Sequence, residues 1–431
     1  MNVIGIRHED KSEWERRTPL VPADVQELVQ AAGVPFHVQS SPIRAFRDEE
    51  YRLAGASVSG DLADCPIIMG VKEIPPEKIA PEKTYVYFSH TIKGQASNMP
   101  ALQRLLDLRC QLIDYERITD GAGRRLVFFG RFAGLAGMID TLWSLGRRLE
   151  HEGLETPFVR LQPAHEYATL DHAKKEMRLI GEAIRNGGLP GTVTPLVCGF
   201  AGYGQVSGGA QEIYDLLGVE TVAPEDLAAI PRGERCCYKV VFREEHLVSR
   251  RDDSSPFELQ EYYDHPERYR DAFFPHVRDL SILVNCIYWE PKYPRLITRD
   301  QLRELYSPGS SPHLRVIGDI TCDVDGPLAC TVRATTPDSP IYVYDPRTGE
   351  TLDGVAGDGP VVLAVDFLPC ELPAESSEFF SGALKPLIPT LARADFTVDL
   401  RQSGLSPELE RATIVYQGRL TDAYRYLAEF L

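Results

Sequence analysis

The stretch PLVCGFAGYGQVSGGAQEIYDLLG, residues 195–218, constrains the fold more than any other. An apolar run leads into Gly202-Tyr203-Gly204, then small residues, then a helical pattern. That order makes a tight turn from a strand into a helix. It lets backbone approach a pyrophosphate at the helix N-terminus, where the peptide dipoles favour negative charge. The third position of GxGxxG is Ser207, with Gly208 and Gly209 just behind. Gly202, Tyr203, Gly204, Gln205, Val206 and Ser207 are therefore the candidate dinucleotide cradle. A unit that prefers NAD ordinarily carries an acid at the tip of its second strand. That strand is expected in VETVA, which ends at Ala223-Pro224 without one. Glu225 is the nearest acid, and Arg232 is a candidate partner for a 2′-phosphate. The expectation tilts to NADP(H) over NAD(H).

Ahead of this stretch, short apolar runs alternate with helical patterns. Val3–Ile6, PFHVQS, CPIIMGV, TYVYFSH and CQLIDYE read as strands. PADVQELVQAAG, EEYRLAGA and MPALQRLLDLR read as helices. Such alternation predicts an α/β fold with a parallel sheet covered on both faces. FFGRFAGLAGMIDTLWSLGRRL reads as one long helix with Gly130, Gly134 and Gly137 on roughly one side. Each glycine costs about 1 kcal/mol against alanine, so close packing is expected there, where two domains meet. After NGGLPGTVTP a second α/β unit begins. Its charged, aromatic stretch at 235–270 reads as an insertion. LSILVNCIYW, LRVIGDITCDV and PVVLAVDFL read as further strands. CTVRATTPDSPIYVYDPRTGETL reads as an antiparallel excursion, and SPELERATIVYQGRLTDAYRYLAEFL as helical.

Ligands of open parallel sheets bind outside the carboxyl ends of the strands. PIIMGV ends at Lys72-Glu73, and TYVYFS ends at His90, with Lys93 just beyond. Lysine and histidine can both be tuned to titrate near neutrality, which suits a proton relay. The loop holding Arg7, His8, Lys11, Glu15, Arg16 and Arg17 follows the first strand to the same edge, and Arg124 and Arg125 follow the fifth. Arginine is the natural bidentate partner of a carboxylate.

Composition excludes other classes. With 46 Lys and Arg against 63 Asp and Glu, the net charge is −17. The chain lacks the basic footprint that nucleic acid or an anionic membrane requires. Its nine cysteines show no CxxC spacing, so reduced buried thiols in a cytoplasmic protein are expected. No run reaches the roughly 18 apolar residues of a membrane span. His165 and His172 lack a third ligand at metal-site spacing, so no metal is expected. GxSxG and the Walker A pattern are absent.

The runs YFSHTIKGQASNMPALQRLL, LIDYERITDGAGRRLVFFGRFAGLAGMID, GYGQVSGGAQEI, VNCIYWEPKYPRLIT, GDITCDVDG and AVDFLPCELPAESSEFF resemble the lysine–2-oxoglutarate reductase half of bifunctional aminoadipic semialdehyde synthase. More loosely, the chain is similar to lysine-forming saccharopine dehydrogenase, alanine dehydrogenase and the transhydrogenase N-terminal domain. The resemblance runs from Arg7 to about Gly418. It implies two Rossmann-like doubly wound domains with a cleft between them. The substrate domain would be 1–135 plus 375–431, and the dinucleotide domain 136–374.

The resemblance also implies a reaction. L-lysine and 2-oxoglutarate would condense reductively to saccharopine with NAD(P)H, or the reverse oxidation would run. A separate glutamate-forming saccharopine dehydrogenase would act downstream. Lys72 and His90 would be the catalytic acid–base pair. Arg17, Lys93, Glu116 and Arg124 would lie near substrate carboxylates, and Glu73 and Glu15 would hold the lysine end. Asp319 and Asp366 would line the cleft from the second domain, with Asn285 and Asp319 at the cofactor. The residues leave two rivals open. One is an opine-type or alanine-dehydrogenase-like oxidoreductase with another amine or keto acid, the 235–270 insertion shaping its pocket. The other is a non-catalytic nucleotide-binding protein. A homo-oligomer is compatible with all of these.

Overall fold

A computed structural model of the chain describes residues 1–231, 237–252, 256–310 and 312–431. It divides into two compact units, Met1–Phe129 with Pro373–Leu431, and Gly130–Leu372. Strands run in chain order as β1 (Ile4–Ile6), β2 (Phe36–Gln39), β3 (Ser57–Ser59), β4 (Ile67–Met69), β5 (Thr84–Tyr87) and β6 (Gln111–Asp114). The second unit adds β7 (Leu196–Ala201), β8 (Glu220–Thr221), β9 (Cys237–Phe242), β10 (Val248–Arg250), β11 (Tyr269–Asp271), β12 (Ile282–Asn285), β13 (Val316–Asp319), β14 (Ile341–Tyr344), β15 (Thr351–Asp353) and β16 (Val361–Leu363). The chain then returns to the first unit with β17 (Thr413–Tyr416) and β18 (Arg419–Leu420).

The first unit is an eight-stranded sheet in the order β18-β17-β6-β5-β4-β1-β2-β3, and the second one in the order β15-β14-β16-β13-β12-β7-β9-β8. Both are parallel except at one edge. There β17 runs antiparallel to β6 and β14 antiparallel to β16. Ile67–Met69, Thr84–Tyr87 and Gln111–Asp114 are buried throughout. Parallel strands covered on both faces read as unbroken apolar runs rather than alternating ones, which is why they stand out in the sequence. Ser377 and Ser381, on the returning Pro373–Leu384 helix, accept the main-chain N–H of Thr18 and Val21, each at 3.0 Å. They tie the returning segment to the loop after β1. No helix among the described residues is long and apolar enough to cross a membrane.

Three sequence expectations change. The C-terminal stretch read as helical holds an α-helix at Pro407–Ala412 and a 3-10 helix at Asp422–Phe430, with strands between them. Thr413–Tyr416 is a buried strand and Arg419–Leu420 its hairpin partner, turned at Gln417 (φ 47°) and Gly418 (φ 74°). The β-branched Thr-Ile-Val run outweighs the helical flanks once it pairs with β6. VETVA yields only β8, which pairs with β9; the strand beside β7 is β9. Finally, Gly134 and Gly137 of the Gly130–His151 helix make their close contacts inside the second unit. A Cβ on Gly134 would lie 1.9 Å from the Val206 carbonyl oxygen, and one on Gly137 2.7 Å from Ile320.

That helix also carries Asp140, fully buried with its carboxyl against that of Glu371. The Ala164 N–H donates to Asp140 Oδ1 at 2.7 Å, and His165 Nδ1 lies 3.1 Å from Glu371 Oε2. Asp140 Oδ2 and Glu371 Oε1 are buried with no donor. Burial, and for Asp140 also the neighbouring Glu371 charge, pushes both carboxyls up, so the pair holds a proton that the unfolded chain releases above about pH 4. The folded state then binds more protons, and the contribution to stability is full at acid pH and lost as pH rises. Glu371→Gln should flatten this slope. Its stability should gain relative to the unmodified protein as the pH rises from about 4.5 through about 7, where the Glu371 carboxyl loses its proton. Urea unfolding checks this; parallel pH profiles would mean that no proton is shared.

Candidate active site

In the first unit, β1, β4, β5 and β6 are parallel neighbours, so their carboxyl ends share one edge. β1 runs into Arg7, His8 and Glu9, β4 into Lys72 and Glu73, β5 into His90, and β6 into Glu116. The buried Glu9 accepts the main-chain N–H of Val71 (2.7 Å) and Lys72 (3.0 Å), pinning the end of β4 to that of β1. Burial pushes the Glu9 carboxyl up to about 7, against the opposing Arg7 charge. Glu73 reaches His90 Nδ1 at 2.6 Å and Lys11 Nζ at 2.8 Å. Burial works to raise the Glu73 carboxyl. The hydrogen bonds from His90 and Lys11 outweigh it and hold Glu73 well below the ordinary carboxylate range.

An ionised Glu73 accepts a hydrogen bond from His90 Nδ1–H, which sets the tautomer and leaves Nε2 as the nitrogen open to a substrate. His90 adopts φ 49°, left-handed for a residue with a Cβ. Such geometry costs about 1 kcal/mol or more and concentrates at functional sites. The Asn98 amide donates to the His90 carbonyl at 3.1 Å and holds that turn. Lys72 is half-buried, and its ammonium has no ion-pair or hydrogen-bond partner among the described residues.

The remaining first-unit candidates separate. Arg17 is buried, forks onto Glu15 at 2.7 and 2.6 Å, and stacks on Phe129 at 4.3 Å. Lys93 is exposed beyond His90. Glu116 pairs with Arg125 at 3.8 Å. Arg124 points to Asp120 with 82% of its side chain exposed, on the turn closed by the Thr119–Arg125 bridge. Sequence reasoning missed Glu9, whose signal is only a single acid in a charged loop.

In the second unit the tips of β9, β7 and β12 lie side by side, Ala201 pairing with Phe242 and with Asn285. Gly202 leaves β7 at φ 100°, and a Cβ there would press on Ile287 at 3.1 Å and the Cys286 carbonyl at 3.3 Å. At Gly204 a Cβ would meet nothing within 4 Å. This is the open cradle a pyrophosphate needs at the start of the Gln205–Tyr214 helix. Ser207 is buried and accepts the Gln211 amide at 2.8 Å. Close helix packing, the ordinary task of the third glycine, falls to Gly209, where a Cβ would lie 2.1 Å from the Arg131 carbonyl oxygen.

Asn285 and Asp319 turn to each other at 2.8 Å across β12 and β13, both buried. Burial raises Asp319 to about 6 against hydrogen bonds from Thr331 and Asn285. Asp366 is exposed after β16. Arg232 lies outside the described residues. Glu225 lies 3.4 Å from His246, which follows the tip of β9, the strand beside β7. Because β9 flanks β7, Arg243 and Glu244 are the residues just past the tip of the strand beside the glycine turn. Among the described residues no cluster of His, Cys, Asp or Glu could hold a metal ion.

Two doubly wound units, one with a glycine cradle at its strand tips, define a pyridine-nucleotide dehydrogenase fold. An L-alanine dehydrogenase matches all of this chain with TM-score 0.63 at 18% identity, and the transhydrogenase from Sinorhizobium meliloti matches 97% of it with TM-score 0.60 at 14% identity. Residues 5–136 match the family model for the alanine dehydrogenase/PNT N-terminal domain. More particularly, the chain belongs to the lysine-forming saccharopine dehydrogenase family. It is 30% identical over 400 residues to saccharopine dehydrogenase (NAD(+), L-lysine-forming) of Neurospora crassa, covering 90% of this chain and 91% of that protein. It is 37% identical to the alpha-aminoadipic semialdehyde synthases of Arabidopsis thaliana and Bos taurus. It spans 41% and 47% of those longer relatives.

Proposed function

We propose that this protein condenses the ε-amine of L-lysine with the keto group of 2-oxoglutarate and reduces the imine to saccharopine, or runs the reverse oxidation. The observation that carries the reading is the Glu73–His90 hydrogen bond beside Lys72, on adjoining tips of β4 and β5. Amine addition and loss of water need protons moved on and off nitrogen and oxygen near neutral pH. His90 does this through Nε2, held by Glu73, and Lys72 through Nζ, held in place by Glu9 at its own main-chain N–H. Lys93 and Arg17 are assigned to the substrate carboxylates. When bound, the reduced nicotinamide supplies the hydride. Gly202, Gly204 and the first turn of the Gln205–Tyr214 helix hold its pyrophosphate.

We further assign NADP(H) as the preferred dinucleotide. Arg243 sits at the β9 tip and stacks over Tyr203 of the cradle at 4.5 Å. The adjacent Glu244, which otherwise suits a ribose 2′-hydroxyl, is engaged by the Tyr263 hydroxyl at 2.9 Å. The test is the loss of reduced-nicotinamide absorbance with lysine and 2-oxoglutarate, run once with NADPH and once with NADH. Oxidation should need both substrates and be faster with NADPH. Oxidation by NADH alone would overturn the cofactor assignment. Silence with both, in folded protein, would overturn the reaction.

A further inference from the structure

A backbone as strained as that of His90 persists only where its surroundings over-determine it. Part of the hold comes from the adjoining strand. Asp114, fully buried at the end of β6, accepts the Ser89 N–H at 3.1 Å and the Ser89 hydroxyl, and Ser89 Oγ lies 2.8 Å from Thr91 Oγ1. Past His90 the chain turns back at once, the Gly94 N–H donating to the Thr91 carbonyl at 2.9 Å. This turn is met by a segment from the far end of the chain. The Tyr426 hydroxyl donates to the Ile92 carbonyl, 334 residues away, at 2.7 Å. The Phe430 ring lies against Gly94, where a Cβ would come 2.4 Å from it and where φ is +65°, so glycine alone fits. Tyr426 and Phe430 ride on the nine-residue 3-10 helix Asp422–Phe430. Such helices seldom run beyond about four residues, and side chains three apart share one face. Tyr424, Leu427 and Phe430 are spaced in that way. Tyr424 and Leu427 are buried in the core of the first unit. The Tyr424 hydroxyl also accepts Arg117 Nε at 3.0 Å and donates to the Arg411 carbonyl at 2.8 Å. Tertiary contacts thus hold the helix with Tyr426 and Phe430 against the turn.

We infer that the Asp422–Phe430 helix is a clamp on the loop after β5, and that Tyr426 and Phe430 are positioning residues for His90 and Lys93. The inference rests on the reading that His90 carries protons and Lys93 meets a substrate carboxylate. The two contact points, Ile92 and Gly94, stand on either side of Lys93 and just beyond His90. Glu73 can set the His90 ring only while the main chain keeps Nδ1 within the 2.6 Å that separates them. A displacement of about 1 Å at such a site costs about 100-fold in rate. Tyr426 and Phe430 are themselves 44% and 47% exposed. They bury little, so their contacts bear on where the loop sits more than on whether the unit folds.

NMR of protein labelled with 15N-histidine tests this without any turnover. At about pH 9, above the ordinary histidine range, His90 of the unmodified protein should give the Nδ1–H tautomer, its signal assigned by loss in His90→Gln. Tyr426→Phe combined with Phe430→Ala should turn that signal into a mixture with the Nε2–H form. Turnover with lysine and 2-oxoglutarate should fall about 10- to 100-fold, and the KM for 2-oxoglutarate should rise. The NADPH dissociation constant and the urea midpoint should stay nearly unchanged. Tyr426→Phe alone, which removes one exposed hydroxyl, should show the same change in smaller measure, and Phe430→Tyr, which keeps the ring, should behave as the unmodified protein. An unaltered His90 tautomer in both Tyr426→Phe and the double variant would overturn the inference. So would a midpoint and an NADPH affinity that fall together with turnover, since that marks general support of the fold. If the tautomer shifts as expected while the unmodified protein oxidises no cofactor with lysine and 2-oxoglutarate, the clamp stands and the proposed reaction falls.

Discussion

Lys72→Met should lower turnover by about 10²- to 10⁴-fold, the range for a lost general acid–base group, with dinucleotide affinity nearly unchanged. The side chain is half-buried with no partner among the described residues, so methionine of similar length removes a charge without breaking an ion pair. The turn itself is held by Glu9 at the Val71 and Lys72 main-chain N–H groups, which the substitution leaves in place. Turnover and dinucleotide dissociation constants, measured on the same preparation, separate the outcomes. Equal losses in both would mean that Lys72 supports the structure and carries no proton.

Gly134→Ala should destabilise the second unit by about 3 kcal/mol and weaken dinucleotide binding with it. One methyl group is enough, because the Cβ would sit 1.9 Å from the Val206 carbonyl oxygen and 2.7 Å from the Ala210 nitrogen. Main chain cannot swing aside as a long side chain can, and overpacking of this kind costs about 1–3 kcal/mol or more. The neighbouring helix must move, and its first turn follows the glycine turn proposed above to hold the pyrophosphate. Gly382, also helical, has nothing within 4 Å of the corresponding position. Gly382→Ala should therefore be neutral or stabilising by a few tenths to about 1 kcal/mol. Denaturant midpoints for the two variants decide the matter; equal midpoints would show that the helix–helix contact relaxes freely.

Much of the site is legible in the sequence because it depends on local order. A buried parallel strand is an apolar run, and the residues just past its carboxyl end lie at the ligand-binding edge. Lys72, Glu73, His90 and the Gly202–Ser207 loop are all found this way. Features that depend on pairing between distant segments are not. β9 displaces β8 as the neighbour of β7, and nothing in VETVA or CYKVVF reveals which of them lies closer. The strand at Thr413–Tyr416 is hidden between helical flanks until β6 offers it an antiparallel edge. Glu9 looks like any loop acid, since its burial comes from the end of β4 some sixty residues later. Tyr262 and Tyr263 read as part of a charged, aromatic insertion, because the cavity they enter is built by three other strand tips.

The first unit is interrupted by the whole of the second, and this matters during synthesis. β6 is made early, but the strand that covers its outer edge, β17, emerges only after residue 372 has been passed. Until then β6 presents open main-chain donors and acceptors, the hazard of any exposed sheet edge. Its core also lacks Phe380, Leu384, Ile388 and Leu409. The second unit is one continuous segment and has no such wait. A nascent chain can therefore complete its inner unit first, while the edge of β6 in its older half stays open until residues 373–431 are made.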